Sequence, residues 1–191
     1  IVGRTADPDL AQASFGLVFP LLLLSSSPLW AFASTAAVLV KRREDLPVML
    51  RFGVGTIAIF VLSIALCVWT PLRDWVLTQL FALPAGAPLA AAVAAALLWL
   101  PYQPITLGLR TINSGYLMAQ ERTRSIGIAS ALKLLLVLIV GFPLVRTAPA
   151  LNGALLGTLL LLGSETVETL LILLRVRRLH APSPATPVLP E

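Results

Sequence analysis

Two glutamates lie inside an apolar stretch near the end of the chain, LLLLGSETVETLLILL over 159–174. Glu165 and Glu168 are three positions apart, so on a helix they share one face. Another ionisable residue, Lys133, lies in the preceding apolar stretch at 126–145. Ionisable residues inside a membrane span are costly and by default suggest an ion or substrate pathway. These three residues are therefore candidates for ion coupling or substrate binding.

The depths of these charges leave more than one interpretation open. Lys133 lies about 10 Å from the start of its span and Glu168 about 9 Å from the end of its own, at 1.5 Å per residue. In an antiparallel hairpin the two would meet, and a structural ion pair would explain both. They could also reach headgroups by snorkelling. Glu165 lies deeper, at about 13 Å, without an equally evident partner, and is the stronger candidate for a titrating or cation-binding role.

Composition places these charges in a membrane protein. The mean hydropathy is +0.91, and 12% of the residues are charged, about half the usual share for a soluble domain. The apolar runs are continuous, which disfavours the period-two pattern of membrane strands. Each of five runs is long enough for a spanning helix of about 20 residues: 15–40, 52–70, 87–109, 126–145 and 150–174. The predicted fold is an all-α, polytopic membrane helical bundle.

The predicted domain organisation follows from these spans. Residues 15–178 form the transmembrane helical domain. Residues 1–14 form an outer N-terminal segment, and an N-terminus outside the cell without a signal peptide suggests an earlier span upstream of Ile1. Residues 179–191 are rich in proline and are predicted to be a disordered cytoplasmic tail.

The distribution of basic residues predicts the orientation. One side of the five-span arrangement carries ten of them: Lys41, Arg42, Arg43, Arg51, Arg110, Arg122, Arg124, Arg175, Arg177 and Arg178. The other side carries three: Arg4, Arg73 and Arg146. The positive-inside rule therefore places the C-terminus in the cytoplasm. The expected location of this multi-pass protein is the cell (inner) membrane. The net charge of +5 follows from topology, so nucleic acid is not an expected partner.

Proline and glycine interrupt three of the spans. Proline removes a backbone donor and kinks a helix, and the freed carbonyls need a partner in the protein or a wet cavity. Broken helices suit the gating elements of a transporter, although proline is also common in ordinary membrane helices. The serines at 25–27 could satisfy some of the freed groups. The candidate break or gating residues are Pro28, Pro101, Pro104, Gly141 and Pro143.

The stretch 110–125 is predicted to be a cytoplasmic loop, because Gly115 and polar residues interrupt the apolar run. Its arginines, Arg110, Arg122 and Arg124, are candidates for contacts with anionic lipid headgroups. The alternative is that they only set the orientation of the chain. Small residues at 90–96 and in the Gly153–Gly157 pair predict close helix contacts.

The sequence offers few residues for a metal site, a cofactor site or an enzymatic reaction. Cys67 is the single cysteine and His180 the single histidine, and His180 follows the last span, so no histidine-ligated metal centre is expected inside the membrane. Asp45 and Asp74 are isolated acids on opposite sides. No cofactor and no enzymatic activity are predicted. A membrane-embedded lipid-modifying enzyme stays open as a weaker alternative.

Three passages carry a resemblance to a known family. They are LPVMLRFGVGTIAIFVLSIALCVWTPL after a basic loop, LGLRTINSGYLMAQERTRSIGIASALKLLLVLIVGFPLV after a long outer loop, and APALNGALLGTLLLL. In this order, residues 46–178 resemble the last four helices of one half of a MATE-like transporter. That family belongs to the multidrug, oligosaccharidyl-lipid and polysaccharide exporter superfamily. The progressive-ankylosis-like branch, associated with export of small anions, is also similar.

The resemblance implies a fold of twelve helices in two related halves. This chain would be most of the second half, with the N-terminal half of the same transporter as its partner. Glu165, Glu168 and Lys133 do not match a signature of the family, so no site residue is carried over from it.

The function expected from the sequence is secondary active transport. The chain would take part in efflux of a small-molecule or lipid-linked substrate by alternating access, as an antiporter or flippase coupled to a proton or sodium gradient. The main alternative is a structural or assembly subunit of the membrane that transports nothing.

Overall fold

The described part of the chain is mainly helical. The computed structural model describes residues 2–5, 7–42, 44–84, 86–147 and 152–180, and these contain no strand. Short 3-10 segments at Ser27–Trp30 and Leu100–Tyr102 join neighbouring helices, and a π-helical turn covers Val76–Leu80. The α-helices are α1 (Pro8–Ser26), α2 (Ala31–Leu39), α3 (Asp45–Trp69), α4 (Leu72–Trp75), α5 (Pro88–Leu97), α6 (Gln103–Ala119), α7 (Thr123–Thr147) and α8 (Gly153–His180).

Four helical segments are long and apolar enough to cross a membrane. They are Pro8–Leu39, which joins α1 and α2, Asp45–Trp69, Pro88–Ala119, which joins α5 and α6, and Thr123–Thr147. The fifth predicted span lies on α8, a helix of 28 residues that is not among these four. Many large apolar side chains on α3 and α7 are exposed, among them Leu62 and Leu134, as expected for surfaces that face lipid. The predicted all-α polytopic bundle is confirmed.

The helix boundaries differ from the predicted spans at both ends of the chain. The first helix begins at Pro8, so the second half of the predicted outer segment 1–14 already belongs to α1. Its residues Ala11 and Ser14 are buried. At the other end, α8 runs to His180, past the predicted start of the tail at 179. The rest of that predicted tail, 181–191, lies outside the described residues.

The largest correction concerns the predicted cytoplasmic loop at 110–125. Most of it is helix, because α6 continues to Ala119 and α7 begins at Thr123. The polar residues do not break α6, since they face the interior of the bundle, where Asn113 is 1% exposed. The Asn113 amide donates to the Leu109 carbonyl at 2.7 Å, which satisfies the polar group without leaving the helix. Arg110 is consequently a helix residue.

Two of the predicted helix breaks are present. The 3-10 turn at Ser27–Trp30 separates α1 from α2 at Pro28. Ser27 satisfies the carbonyl of Leu24, towards which it donates its hydroxyl at 3.1 Å and its backbone N–H. At the second break, Pro101 lies in the 3-10 turn before α6 and Pro104 in the first turn of α6. These are positions where a missing N–H costs little.

The break predicted at Gly141 and Pro143 is wrong. Both residues lie within α7, which continues without interruption to Thr147. Pro143 stands close to the end of the helix, so a kink there displaces only about one further turn. A spanning helix tolerates one lost backbone bond more readily than an open turn that exposes several unpaired groups to lipid.

The core is organised around α6, which packs against α2, α3, α7 and α8. One apolar cluster extends along α6 and includes Leu107, Ile112 and Leu117. A second cluster joins α1 to α5 and includes Leu22, Val93 and Ala96. The close contact predicted for the small residues of α8 is present, because Gly153 packs directly on Ala11 of α1. Contacts of this kind fix the position of one helix along the axis of its neighbour.

Gly115 allows α6 to approach the backbone of α2 closely, and Gly115→Ala is expected to destabilise the bundle. A Cβ at this position would overlap the backbone carbonyl oxygen of Ala33 and crowd Ala36, so α2 and α6 would have to separate. We expect a loss of about 1–3 kcal/mol in the free energy of unfolding, as for other overpacked cores. Denaturant titration in detergent micelles, followed by circular dichroism, measures it.

Gly55→Ala is the matched control, because Gly55 also lies mid-helix, in α3, and no neighbouring atom lies within 4 Å of the place that the added methyl group would occupy. It should leave stability unchanged or raise it, since alanine favours the helix. Equal stability of the two variants would contradict the close contact.

Candidate functional site

Three helices bring four charged side chains together. They are Arg110 from α6, Lys133 from α7, and Glu165 and Glu168 from α8, and we call them the charge cluster. The two glutamates lie one turn apart on the face of α8 that packs against α6 and α7. The cluster therefore ties three of the long helices to one another.

Glu168 is the most enclosed member of the charge cluster. Its side chain is 2% exposed, and both carboxylate oxygens have partners. Oε2 lies 2.5 Å from Nη1 of Arg110 and 3.1 Å from Nζ of Lys133. Oε1 accepts a hydrogen bond of 2.5 Å from Oγ of Ser130. A carboxylate with this many donors is stabilised in its charged form inside the bundle.

Glu165 is less completely satisfied. Its Oε1 accepts a hydrogen bond from Nζ of Lys133. Its Oε2 lies 3.4 Å from Nε of Arg110, which is an ion pair without a hydrogen bond. That oxygen is buried and has no hydrogen-bond partner among the described residues. Glu165 therefore keeps an acceptor in the interior that a proton, a cation or a donor group could use.

The charge cluster is electrically balanced, and its two cationic side chains are more exposed than its two carboxylates. Two cations face two carboxylates, so the four groups carry no formal net charge. The side chains of Arg110 and Lys133 are 16% and 17% exposed, whereas both glutamates are buried. Anything that adds or removes one charge at a carboxylate leaves an uncompensated charge close to the interior, where electrostatic interactions are strong.

The structure both supports and extends the predicted site. It brings Lys133 and Glu168 together, as their matching depths predict. It also gives Glu165 two cationic partners, so the expectation that it lacks an evident partner is wrong. The missed residue is Arg110, which contacts the two glutamates and is not in a loop.

A helical signal for Arg110 is present in the sequence. Thr106, Arg110 and Asn113 follow one another at spacings of four and three, which places them on one face of a helix. Hydropathy alone does not reveal this helix, because the apolar run is interrupted around Gly115. A polar face that is buried in protein has the same low hydropathy as a loop.

A polar seam runs along α6 and α8 beside the charge cluster. The hydroxyls of Tyr102 and Thr166 are hydrogen-bonded at 3.2 Å. Thr169 donates to the backbone carbonyl of Thr106 at 3.1 Å. Hydrogen bonds of this kind hold membrane helices together where apolar contact with lipid gives no preference. The interface between α6 and α8 is thus more polar than its surroundings.

The remaining candidate residues lie apart from the charge cluster. Arg122, just before α7, and Arg124, in its first turn, are exposed. No hydrogen bond or ion pair within the described residues joins the charge cluster to the break or gating candidates, Pro28, Pro101, Pro104, Gly141 and Pro143. On α6, Pro104 precedes Arg110 by six residues, or about 9 Å along the helix. The broken start of α6 therefore leads directly into the segment that carries Arg110.

Comparison of the chain with family models, with curated proteins and with solved structures found no match.

Proposed function

We propose that the chain forms part of a secondary active transporter or flippase of the membrane. It would work with a further set of helices, the other half of the transporter, and export a small-molecule or lipid-linked substrate by alternating access. The observation that carries the proposal is the charge cluster, in which a buried, incompletely satisfied carboxylate stands beside partly exposed cations. Intramembrane charges in such an arrangement are typical of ion and substrate pathways.

The balance of the charge cluster supplies a mechanism for coupling. A proton or sodium ion at Glu165 would cancel one negative charge and leave Arg110 and Lys133 facing Glu168 alone. Because the two cations belong to α6 and α7, their repulsion would favour separation of these helices. Loss of the ion would restore the attraction and close the bundle again. The charge cluster would thus bias two conformations according to the occupancy of one carboxylate.

The broken helices support the same proposal. α6 follows directly on a 3-10 turn that contains Pro101, and the carbonyl of Leu98 just before this turn accepts a hydrogen bond of 3.2 Å from the indole of Trp69. Such a junction is a suitable hinge, since the backbone around it is not locked into one continuous helix. In the proposed orientation the C-terminus faces the cytoplasm.

A structural or assembly subunit is the second candidate, and one observation favours it. The charge cluster is balanced without any ion, so four paired side chains alone account for its presence in the membrane. In this case the charges fix the packing of α6, α7 and α8 and no solute moves.

Measuring transport by the Glu165→Gln variant distinguishes a transporter from a structural subunit. We expect the complete protein in liposomes to take up solute when a proton or sodium gradient is imposed, and the variant to show no more uptake than protein-free liposomes. Glutamine keeps the shape of the side chain but cannot bind or release a proton. The measurement follows uptake of an organic cation, a small organic anion and a fluorescent lipid, each with and without each gradient.

Glu121→Gln is the control for this experiment, since Glu121 is exposed in the connection between α6 and α7. It should transport like the wild type. The folding of both variants is followed by size-exclusion chromatography. Gradient-independent behaviour of every protein and every solute would support the structural subunit instead.

A further inference from the structure

Four arginines gather where α7 begins and α8 ends. They line a groove between the two helices, which encloses about 500 Å³, and we call it the arginine groove. Arg122 lies just before α7 and Arg124 in its first turn, and Arg175 and Arg178 come from the last turns of α8. All four side chains are exposed. The charge is thus concentrated at one end of the groove, which is the end of two long apolar helices.

The rest of the arginine groove is apolar. Ile128 and Leu132 continue the α7 wall, and Leu171 and Leu174 form the α8 wall. On α7, positions 124, 128 and 132 are spaced by four residues and share one face, which extends over about 12 Å. Ile128, Leu132 and Leu174 are exposed although they are large and apolar. The groove therefore offers a cationic end followed by a hydrocarbon surface.

Within the described residues, the arginines of this groove have no acidic partner. No carboxylate belongs to the lining. Across the part of the chain that the structure describes, none of the four arginines takes part in an ion pair. The carboxylates of Glu165 and Glu168 on α8 are held by Arg110 and Lys133 and are not available to them. Guanidinium groups without a carboxylate partner favour phosphate, which they bind with paired hydrogen bonds.

We propose that the arginine groove binds one anionic glycerophospholipid. Its phosphate lies among the four guanidinium groups, and one acyl chain lies along the wall formed by Ile128, Leu132, Leu171 and Leu174. A lipid fits better than a soluble anion because the same groove presents charge and a long apolar surface. Arginines at the ends of membrane helices also lie at the depth of the headgroups. The proposal uses neither Glu165 nor transport, so it stands apart from the proposed function.

The test uses the complete protein in detergent and native mass spectrometry. Dioleoyl phosphatidylglycerol and dioleoyl phosphatidylcholine are titrated separately, and the fraction of protein that retains one lipid is measured. The variants are Arg175→Gln and Arg178→Gln. The control is Arg177→Gln, because Arg177 is exposed on the same helix but does not line the groove. Glycerol phosphate is added as a competitor that has the headgroup chemistry without acyl chains.

We expect phosphatidylglycerol to bind more tightly than phosphatidylcholine. Each groove variant should weaken its binding about fivefold, the equivalent of about 1 kcal/mol per arginine near the headgroups. Arg177→Gln should bind like the wild type, and glycerol phosphate should not displace the lipid. Equal binding of both lipids, or an equal loss in Arg177→Gln, would overturn the proposal. Displacement by glycerol phosphate would make the groove a site for soluble anions and would also overturn it.

Discussion

Glu168→Gln is expected to lower the free energy of unfolding by about 3–5 kcal/mol, the usual effect of removing one partner from a buried ion pair. The Glu168 carboxylate lies 2.5 Å from Nη1 of Arg110 and 3.1 Å from Nζ of Lys133. It also accepts a hydrogen bond of 2.5 Å from the hydroxyl of Ser130. Glutamine would leave Glu165 as the single carboxylate for two cations. The unfolding free energy in micelles, measured by denaturant titration, gives the result directly.

Glu121→Gln makes the same chemical change at an exposed position and should alter stability by no more than about 0.5 kcal/mol. A Glu168→Gln protein as stable as this control would show that the charge cluster does not hold the helices together. Glu168→Asp is a second informative variant, because it keeps the charge and shortens the reach. It should retain part of the lost stability if charge neutralisation is the main contribution.

The spans could be predicted from sequence because the membrane imposes one length on every apolar run. Hydropathy located the four segments that are long and apolar enough to cross a membrane, although α1 and α3 begin at Pro8 and Asp45, ahead of the predicted starts at 15 and 52. The membrane's demand for internal hydrogen bonds disfavours structures other than helices for such runs. The end of α6 could not be found in this way. Asn113 and Ser114 are polar, but they are buried against neighbouring helices, and their neighbours are known only once the bundle is assembled.

For the charge cluster too, the depth of a residue along its span can be predicted from the sequence, whereas the packing of the helices cannot. Depth along two adjacent spans was enough to bring Lys133 towards Glu168. Arg110 belongs to a third helix, and its distance from Glu168 depends on how α6 packs against α8, which in turn depends on close contacts such as that of Gly115 with α2. That packing cannot be read from one sequence, and for this reason the partners of Glu165 were not predicted.

Lys133→Met is expected to cost about 3–5 kcal/mol of stability on its own, and Lys133→Met with Glu165→Leu should recover most of it. The single change leaves Arg110 to neutralise two buried carboxylates, whereas the double change removes one charge of each sign. Apolar replacement of a complete buried pair is often neutral or stabilising. Arg110 and Glu168 remain 2.5 Å apart with Ser130 beside them, so the residual site stays balanced. Denaturant titrations of the wild type, both single variants and the double variant give the coupling energy between the two residues.

The double variant also distinguishes packing from coupling, because it removes the carboxylate of Glu165 without the loss of stability that obscures single variants. A structural role predicts that a protein with restored stability regains whatever activity the wild type has in liposomes. A coupling role predicts a stable bundle in which a proton or sodium gradient no longer drives uptake, since the leucine side chain can neither release a proton nor bind a cation. If the double variant is no more stable than Lys133→Met, the two residues do not act as a pair, and the contact between them contributes nothing beyond their separate interactions with Arg110 and Glu168.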